Sequence, residues 1–207
     1  MAPGGTTPQN QAMDVTELLR AASLLAPEET AGENDLTVDD VWDHLVHDEW
    51  DVALGLLEEL GGGHSLPPDF WEELAGAAEK LRFERSAAWC HWRSYESRHG
   101  MVRADLTLRP TGEYRRRTPF SGAGALRPMW DIGNLAPGGG PILDIASLWV
   151  ESAPSLGPGE RATVRLAPLA PARWRHLRRG QTITMYEGGP VAGTAVVLEV
   201  RAPQNTA

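Results

Sequence analysis

A short basic segment in the last quarter of the chain holds the residue types best suited to bind an anion. It reads Arg173-Trp-Arg-His-Leu-Arg-Arg179. Its four arginines are Arg173, Arg175, Arg178 and Arg179. Guanidinium groups could pair with phosphates while Trp174 stacks on a base. Alternatively, Trp174 and Leu177 pack on a core and the arginines project into water. We favour this second interpretation, because the segment is small for an RNA site.

Few other residues are candidates for chemistry. His44 and His47 are of zinc-ligand type, as is the pair Cys90 and His91, but neither pair has zinc-finger spacing. Cys90 lies on an expected buried helix face, without an evident base to activate it. No phosphate-binding G-x-x-x-x-G-K-[ST] motif occurs. We therefore predict a protein that is not an enzyme, with no catalytic residues, bound metal, cofactor or nucleotide.

The composition of the 207 residues limits the cellular setting. One cysteine excludes an intrachain disulfide. The N-terminus lacks the basic start and apolar segment of a secretory signal, and the apolar runs are too short to cross a bilayer. We expect a cytoplasmic protein with no membrane partner. Its 18 arginines against one lysine suggest a GC-rich bacterial genome.

The charge divides the chain into an acidic and a basic half. Residues 1–100 carry 20 acidic and 6 basic residues, a net charge of −14, whereas residues 101–207 carry 8 and 13, a net charge of +5. Such an asymmetry indicates two units with different partners, or two units that attract one another.

Helical periodicity dominates the first half. We predict a disordered tail over residues 1–35 with one short helix within residues 12–25, and an acidic helical domain over residues 36–99. Thr37 to Asp40 resembles a capping box, and Pro67 and Pro68 open a later helix. We expect the helix that begins near Asp48 to end at Gly61 to Gly63. The pattern predicts short antiparallel helices, the last from about residue 84 to 98.

From Met101 the period changes to two. Val102, Ala104, Leu106 and Leu108 alternate with polar residues, and similar runs follow, separated by Gly/Pro-rich turns. Several short strands of this kind predict an antiparallel sandwich or barrel over residues 101–203. Gly193 interrupts the last strand, which predicts either a bend or a close approach of a neighbouring backbone.

Three sequence blocks in this second half resemble the C-terminal (third) domain of elongation factor Tu. Arg115-Arg-Arg-Thr-Pro-Phe120, followed by Arg127-Pro128, is similar to the "GRHTPF…YRPQF" of that family. Leu156-Gly-Pro-Gly159 with Thr163-Val-Arg-Leu166 is similar to its "MPGDNIKMVVTL". The third block runs from Tyr186 to Val197 and is similar to "REGGRTVGAGVV". The resemblance covers residues 101–201. It implies an α+β multidomain chain in which helices precede a six-stranded antiparallel β-barrel.

The resemblance also implies what the barrel binds. In the family this domain helps to hold the T-stem of aminoacyl-tRNA and contacts protein partners. The backbone-binding "RH" corresponds to Arg116 and Arg117, and "EG" corresponds to Glu187 and Gly188. However, Met129 and Ala167 replace a glutamine and a lysine of the family pattern. The family's GTPase domain has no counterpart here.

Two functions follow from these observations. The leading hypothesis is a protein-interaction adaptor, for example a toxin-immunity or regulatory protein, with a protein partner. The alternative is a module that binds tRNA or another structured RNA. The candidate RNA- or partner-binding residues are Arg116, Arg117, Arg173, Trp174, Arg175, Arg178, Arg179, Glu187 and Gly188. The RNA alternative is stronger if the two arginine clusters lie on one face.

Overall fold

A computed structural model describes residues 14–27, 36–113 and 116–203 of the chain. Within these residues, five α-helices precede the strands: α1 (Val15–Leu25), α2 (Val38–Val46), α3 (Trp50–Gly63), α4 (Pro68–Lys80) and α5 (Glu84–His99). Contacts divide the chain into two compact units, the first ending at Ala87 and the second beginning at Ala88. Helix α1 confirms the short helix predicted within residues 12–25. The rest of the tail predicted to be disordered, residues 1–13 and 28–35, lies outside the described residues.

Capping boxes lie at the N-termini of the first two helices. The Glu17 amide donates to the Asp14 carboxylate at 2.9 Å, and the Asp14 amide donates to the Glu17 carboxylate at 3.0 Å. The Thr37 amide donates in the same way to Asp40 at 2.7 Å. These bonds satisfy amides that have no partner within the helix. The predicted capping box before α2 is therefore confirmed.

The first unit buries one apolar face from each of its helices. Helix α1 packs on α3 and α4, and α2 packs on α3. The largest buried side chains of this unit are Leu19, Leu54, Leu57, Leu60, Phe70, Trp71 and Leu74. The i, i+3, i+4 spacing that predicted these helices therefore marks their buried faces.

Helix α3 ends at Gly63, within the glycine run predicted to stop it, but these glycines are its last helical residues. The helix continues through Gly61, Gly62 and Gly63. A side chain at Gly61 would collide with the Trp71 ring and lie 3.0 Å from Phe70. The first of these glycines is therefore required by close packing of α4, and not by a left-handed helix end.

In the described residues, nine strands follow α5: β1 (Met101–Leu108), β2 (Phe120–Ser121), β3 (Ala123–Leu126), β4 (Met129–Leu135), β5 (Pro141–Val150), β6 (Ser155–Leu156), β7 (Arg161–Pro168), β8 (Thr182–Tyr186) and β9 (Val191–Arg201). Six of them form a closed antiparallel barrel in the order β5-β4-β8-β9-β1-β7, because β7 pairs again with β5. Strand β3 pairs with Leu148 and Trp149 of β5, beyond the part of β5 that pairs with β4, and β2 pairs with β6. The predicted six-stranded antiparallel barrel in an α+β chain is confirmed.

Alternate residues of the strands fill the barrel. Val102, Ala104, Leu106 and Leu108 of β1 are buried, as the period of two predicted. Gly193 of β9 lies opposite Leu108, and a side chain there would be only 2.6 Å from the Thr107 carbonyl oxygen. Gly193 therefore serves the close approach of β1, one of the two roles predicted for it.

Helix α5 is shared by the two compact units. Residues 88–99 belong with the strands, because the ring of Trp89 lies 5.1 Å and that of Trp92 lies 5.7 Å from the ring of Trp149 in β5. The compact units therefore do not coincide with the predicted domains, whose boundary was placed after residue 99. Apolar and aromatic residues on one face of α5 pack on the outer surface of the barrel.

Candidate binding site: a basic cleft at one end of the barrel

The basic segment forms the connection between β7 and β8. It contains a short 3-10 turn, Pro171–Trp174. Trp174 and Leu177 are only 2% and 1% exposed and belong to the barrel core. This is the amphipathic turn that the sequence favoured. Trp174 is therefore too buried to stack on a base, and it anchors the segment; its contact with a partner stays a prediction.

Three polar side chains fix the conformation of this connection. Arg173 Nε lies 2.8 Å from Asp144 Oδ1, whose side chain is 4% exposed. Arg178 Nη1 donates to the Arg175 and Leu177 carbonyls at 3.0 and 2.9 Å. His176 Nε2 lies 2.8 Å from the Ile132 carbonyl oxygen. Arg173 and Arg178 therefore have structural contacts of their own.

Arg175 and Arg179 remain accessible. Both are exposed, and neither guanidinium forms an ion pair with another described residue. The backbone that carries them is anchored by the buried Trp174 and Leu177 of the same β7–β8 connection. They are the two arginines of the segment best placed to meet a partner.

The segment forms one wall of an open cleft with a volume of about 690 Å³. The opposite walls come from the end of α5 with the start of β1, and from the end of β9. The apolar lining residues are mainly Met101, Val102, Pro168, Trp174, Leu177 and Val200. This volume lies in the range of binding pockets for small ligands or a few side chains.

The rim of the cleft is basic. His99, Arg175, Arg178, Arg179 and Arg201 line it. Arg201 Nη2 forms an ion pair with Glu199 Oε1 at 2.9 Å, and both side chains are more than a third exposed. The described lining residues include four arginines and no Asp or Glu, so the cleft favours a ligand that carries negative charge.

Helix α5 positions two parts of this cleft. The Tyr95 hydroxyl donates to the Pro168 carbonyl at 2.6 Å, and the Tyr95 ring lies 4.4 Å from the His99 ring. Burial raises the pKa of Tyr95, which keeps the hydroxyl protonated as a donor. His99 and Pro168 both line the cleft, so the packing of α5 determines its shape.

A buried charge network holds α5 on the barrel. Arg165 of β7 donates to the two carboxylate oxygens of Glu96 at 2.8 and 2.7 Å. Glu96 also accepts from Trp92 Nε1 at 2.7 Å. Arg165 lies 3.2 Å from Glu151, which forms a forked pair with Arg103. Sequence reasoning missed this network; the tryptophans and tyrosine at helical spacing in residues 88–95 were its visible signal.

The second predicted cluster has a different environment. Arg116 forms a forked ion pair with Glu187, with Nε 2.9 Å from Oε2, and its guanidinium carbon lies 5.3 Å from the centre of the Phe120 ring. Two predicted RNA-contacting residues are thus paired with each other. Arg117 is exposed, and Gly188 has a φ of 63° in the β8–β9 turn. Arg115 lies outside the described residues.

The two arginine clusters lie at opposite ends of β8. Arg179 precedes the strand by three residues, whereas Glu187, the partner of Arg116, follows its last residue directly. At about 3.3 Å per residue the five residues of β8 span roughly 17 Å. The two clusters are therefore separated by at least the length of this strand.

The histidines and the cysteine have local roles. His44 Nδ1 lies 2.6 Å from Glu49, and His47 Nδ1 lies 2.7 Å from the Asp43 carbonyl oxygen. Cys90 is fully buried. Over residues 14–27, 36–113 and 116–203, no three His, Cys, Asp or Glu side chains are grouped to hold a metal ion.

No protein-family model matches this sequence, and no curated protein is significantly similar to it. In the described part of the chain, every helix is too short or too polar to span a bilayer. Function must therefore be argued from the cleft itself.

Proposed function

We propose that this protein is a non-catalytic protein-interaction module, and that the basic cleft is the surface that recognises its partner. The observation that carries the proposal is the combination of two exposed arginines, Arg175 and Arg179, with an apolar floor. Interfaces commonly combine an apolar centre with a polar rim, and arginine is among the residues that contribute most to binding. In this proposal the protein acts as an adaptor or a regulator, for example a toxin-immunity protein.

We further propose that the barrel is related to the third domain of elongation factor Tu. The resembling residues fall on comparable elements: Thr163 to Leu166 lie within β7, and Tyr186 to Val197 span the β8–β9 hairpin. Such a barrel, without the GTPase domain, presents a translation-factor-like surface to proteins that recognise that factor.

The cleft suits a protein better than an RNA backbone. Single-stranded nucleic acid is held by exposed aromatic rings along a basic groove. Among the described residues that line this cleft, Trp174 is the one tryptophan, tyrosine or phenylalanine, and it is buried. The other basic group of the family pattern, Arg116, already pairs with Glu187. An apolar floor contributes to affinity only when an apolar side chain covers it.

The test is affinity capture from cells of the source organism with the full chain as bait. Wild type is compared with Arg175→Glu/Arg179→Glu, and with Arg85→Glu/Arg127→Glu as a control of equal charge at exposed positions outside the cleft. We expect a protein that wild type and the control retain and the cleft variant loses. If all three capture the same proteins in equal amounts, the cleft is not the recognition surface.

RNA binding remains a second candidate, because Arg175, Arg178 and Arg179 are adjacent and exposed. It predicts a gel shift of tRNA or structured RNA that weakens steeply with salt. A shift at low salt that the Arg175→Glu/Arg179→Glu variant abolishes favours this candidate over the first. Its absence at low salt rejects it.

A further inference from the structure

We propose that the occupant of the basic cleft is an acidic segment of a partner protein that places one apolar side chain on the cleft floor. This inference rests on the proposed function and specifies the chemistry of the partner at the same site. Three features of the cleft support it: the positive charge of the rim, the apolar floor, and the anchored segment that carries both arginines.

The charge balance selects an anionic segment. Arg175 and Arg179 have no ion pair with another described residue, and the nearest acid of the lining strands, Glu199, already pairs with Arg201. Carboxylates of an incoming segment can therefore form forked bonds with guanidinium groups without displacing an internal partner. A basic segment would meet uncompensated repulsion.

The floor selects an apolar side chain beside those carboxylates. Leu177 and Met101 form its buried base, and Val200 is 38% exposed at its edge. A leucine- or phenylalanine-sized group that covers such a surface typically contributes about 1.5–3 kcal/mol. The volume of about 690 Å³ accommodates a few residues, but not a folded domain.

The walls are fixed before a partner arrives. The segment that carries Arg175 and Arg179 is anchored by buried Trp174, and its Arg173 is paired with the buried Asp144. Little conformational entropy is therefore lost on binding, which favours recognition of a short segment. An RNA backbone would leave the floor uncovered, so RNA is treated as an alternative outcome of the test.

The experiment selects peptides from a phage-displayed random library on the immobilised full chain, with counter-selection on the Arg175→Glu/Arg179→Glu variant. Enriched peptides are then measured by fluorescence anisotropy. We expect sequences in which Asp or Glu flank Leu, Ile, Phe or Trp. We also expect their affinity to fall at least about tenfold when the acids become amides or the apolar residue becomes alanine.

A matched pair of variants separates the floor from general surface effects. Val200 and Val196 lie on the same strand and are 38% and 42% exposed, but Val200 lines the cleft and Val196 does not. Val200→Asp should weaken peptide binding at least about tenfold, while Val196→Asp leaves it unchanged.

Each outcome decides the inference. Enriched peptides that are neutral or basic, or that bind both arginine forms equally, overturn it while leaving a protein-interaction function standing. No enrichment also overturns it. An arginine-dependent shift of a structured RNA, with no peptide enriched, overturns both this inference and the proposed function.

Discussion

Replacing Glu96 by glutamine should loosen α5 from the barrel while preserving the shape of the side chain. Glu96 is 5% exposed and accepts two bonds from Arg165, whose side chain is 9% exposed. It also lies 3.2 Å from Arg93, whose pKa is lowered to about 10 chiefly because the guanidinium is buried. The amide leaves two buried arginines without this carboxylate charge.

The magnitude follows from the remaining partners. Removing one member of a buried pair typically costs about 3–5 kcal/mol. Arg165 keeps Glu151 at 3.2 Å, so its charge is not left uncompensated. We therefore expect a loss at the lower end, about 3 kcal/mol of unfolding free energy.

Urea unfolding of the full chain measures this cost, followed by fluorescence of the tryptophans that surround the network. Hydrogen exchange of amides in residues 88–99 gives a local measurement, which is needed because a chain with two compact units need not unfold in one step. Glu113→Gln is the control, since its ion pair with Arg109 is 3.4 Å long and exposed. That change should cost less than about 1 kcal/mol.

A double replacement tests the reasoning further. Glu96→Leu/Arg165→Met removes both charges of this pair, and should restore part of the stability lost in Glu96→Gln, because Arg165 is no longer buried beside a neutral side chain. Arg93 still loses Glu96, so the recovery should be incomplete. The explanation is refuted if Glu96→Gln costs no more than Glu113→Gln and leaves the exchange of residues 88–99 unchanged.

Two further predictions concern the barrel. Gly193→Ala should lower the free energy of unfolding in urea by about 1–3 kcal/mol, because its methyl would lie 2.6 Å from the Thr107 carbonyl oxygen. Gly138→Ala is the control, since its methyl meets no atom within 4 Å and should change little. Equal urea midpoints for the two variants would contradict this. Burial raises the pKa of Glu151, but the hydrogen bonds and charge of Arg103 outweigh burial and hold the pKa below its ordinary value of 4.5. This ion pair therefore stabilises the fold above pH 4.5, and its contribution is lost on acidification. Glu151→Gln should therefore lose less stability than wild type as the pH falls below 4.5, and parallel pH profiles would argue against it.

The sequence predicted those helices and strands in which the spacing of apolar residues matches the spacing of buried positions. Strand β1 is an example, because alternate residues from Val102 to Leu108 face the barrel interior. Helix α2 is another, because its capping box is local in sequence. Closure of the barrel followed from the resemblance and not from the spacing of apolar residues.

The features that the sequence did not predict depend on contacts between distant residues. Glu96 and Arg165 are 69 positions apart, and no spacing rule gives their pairing. The sequence did not show that Gly61 makes room for the Trp71 ring, because that ring belongs to the next helix. The cleft likewise joins residues near His99, Arg175 and Arg201, so composition indicated the arginines without indicating the apolar floor beneath them.

Exchange of Arg175 and Arg179 for lysine separates carboxylate recognition from charge alone. A guanidinium forms two parallel bonds to a carboxylate, whereas an ammonium acts as a compact point charge. For an acidic peptide selected on wild type, Arg175→Lys/Arg179→Lys should therefore raise the Kd roughly tenfold, about 1.4 kcal/mol, although the net charge is unchanged. Binding that depends on phosphate neutralisation should instead keep both its strength and its salt dependence. Isothermal titration at two salt concentrations measures both quantities, and unchanged affinity for the peptide would show that the forked geometry is not used.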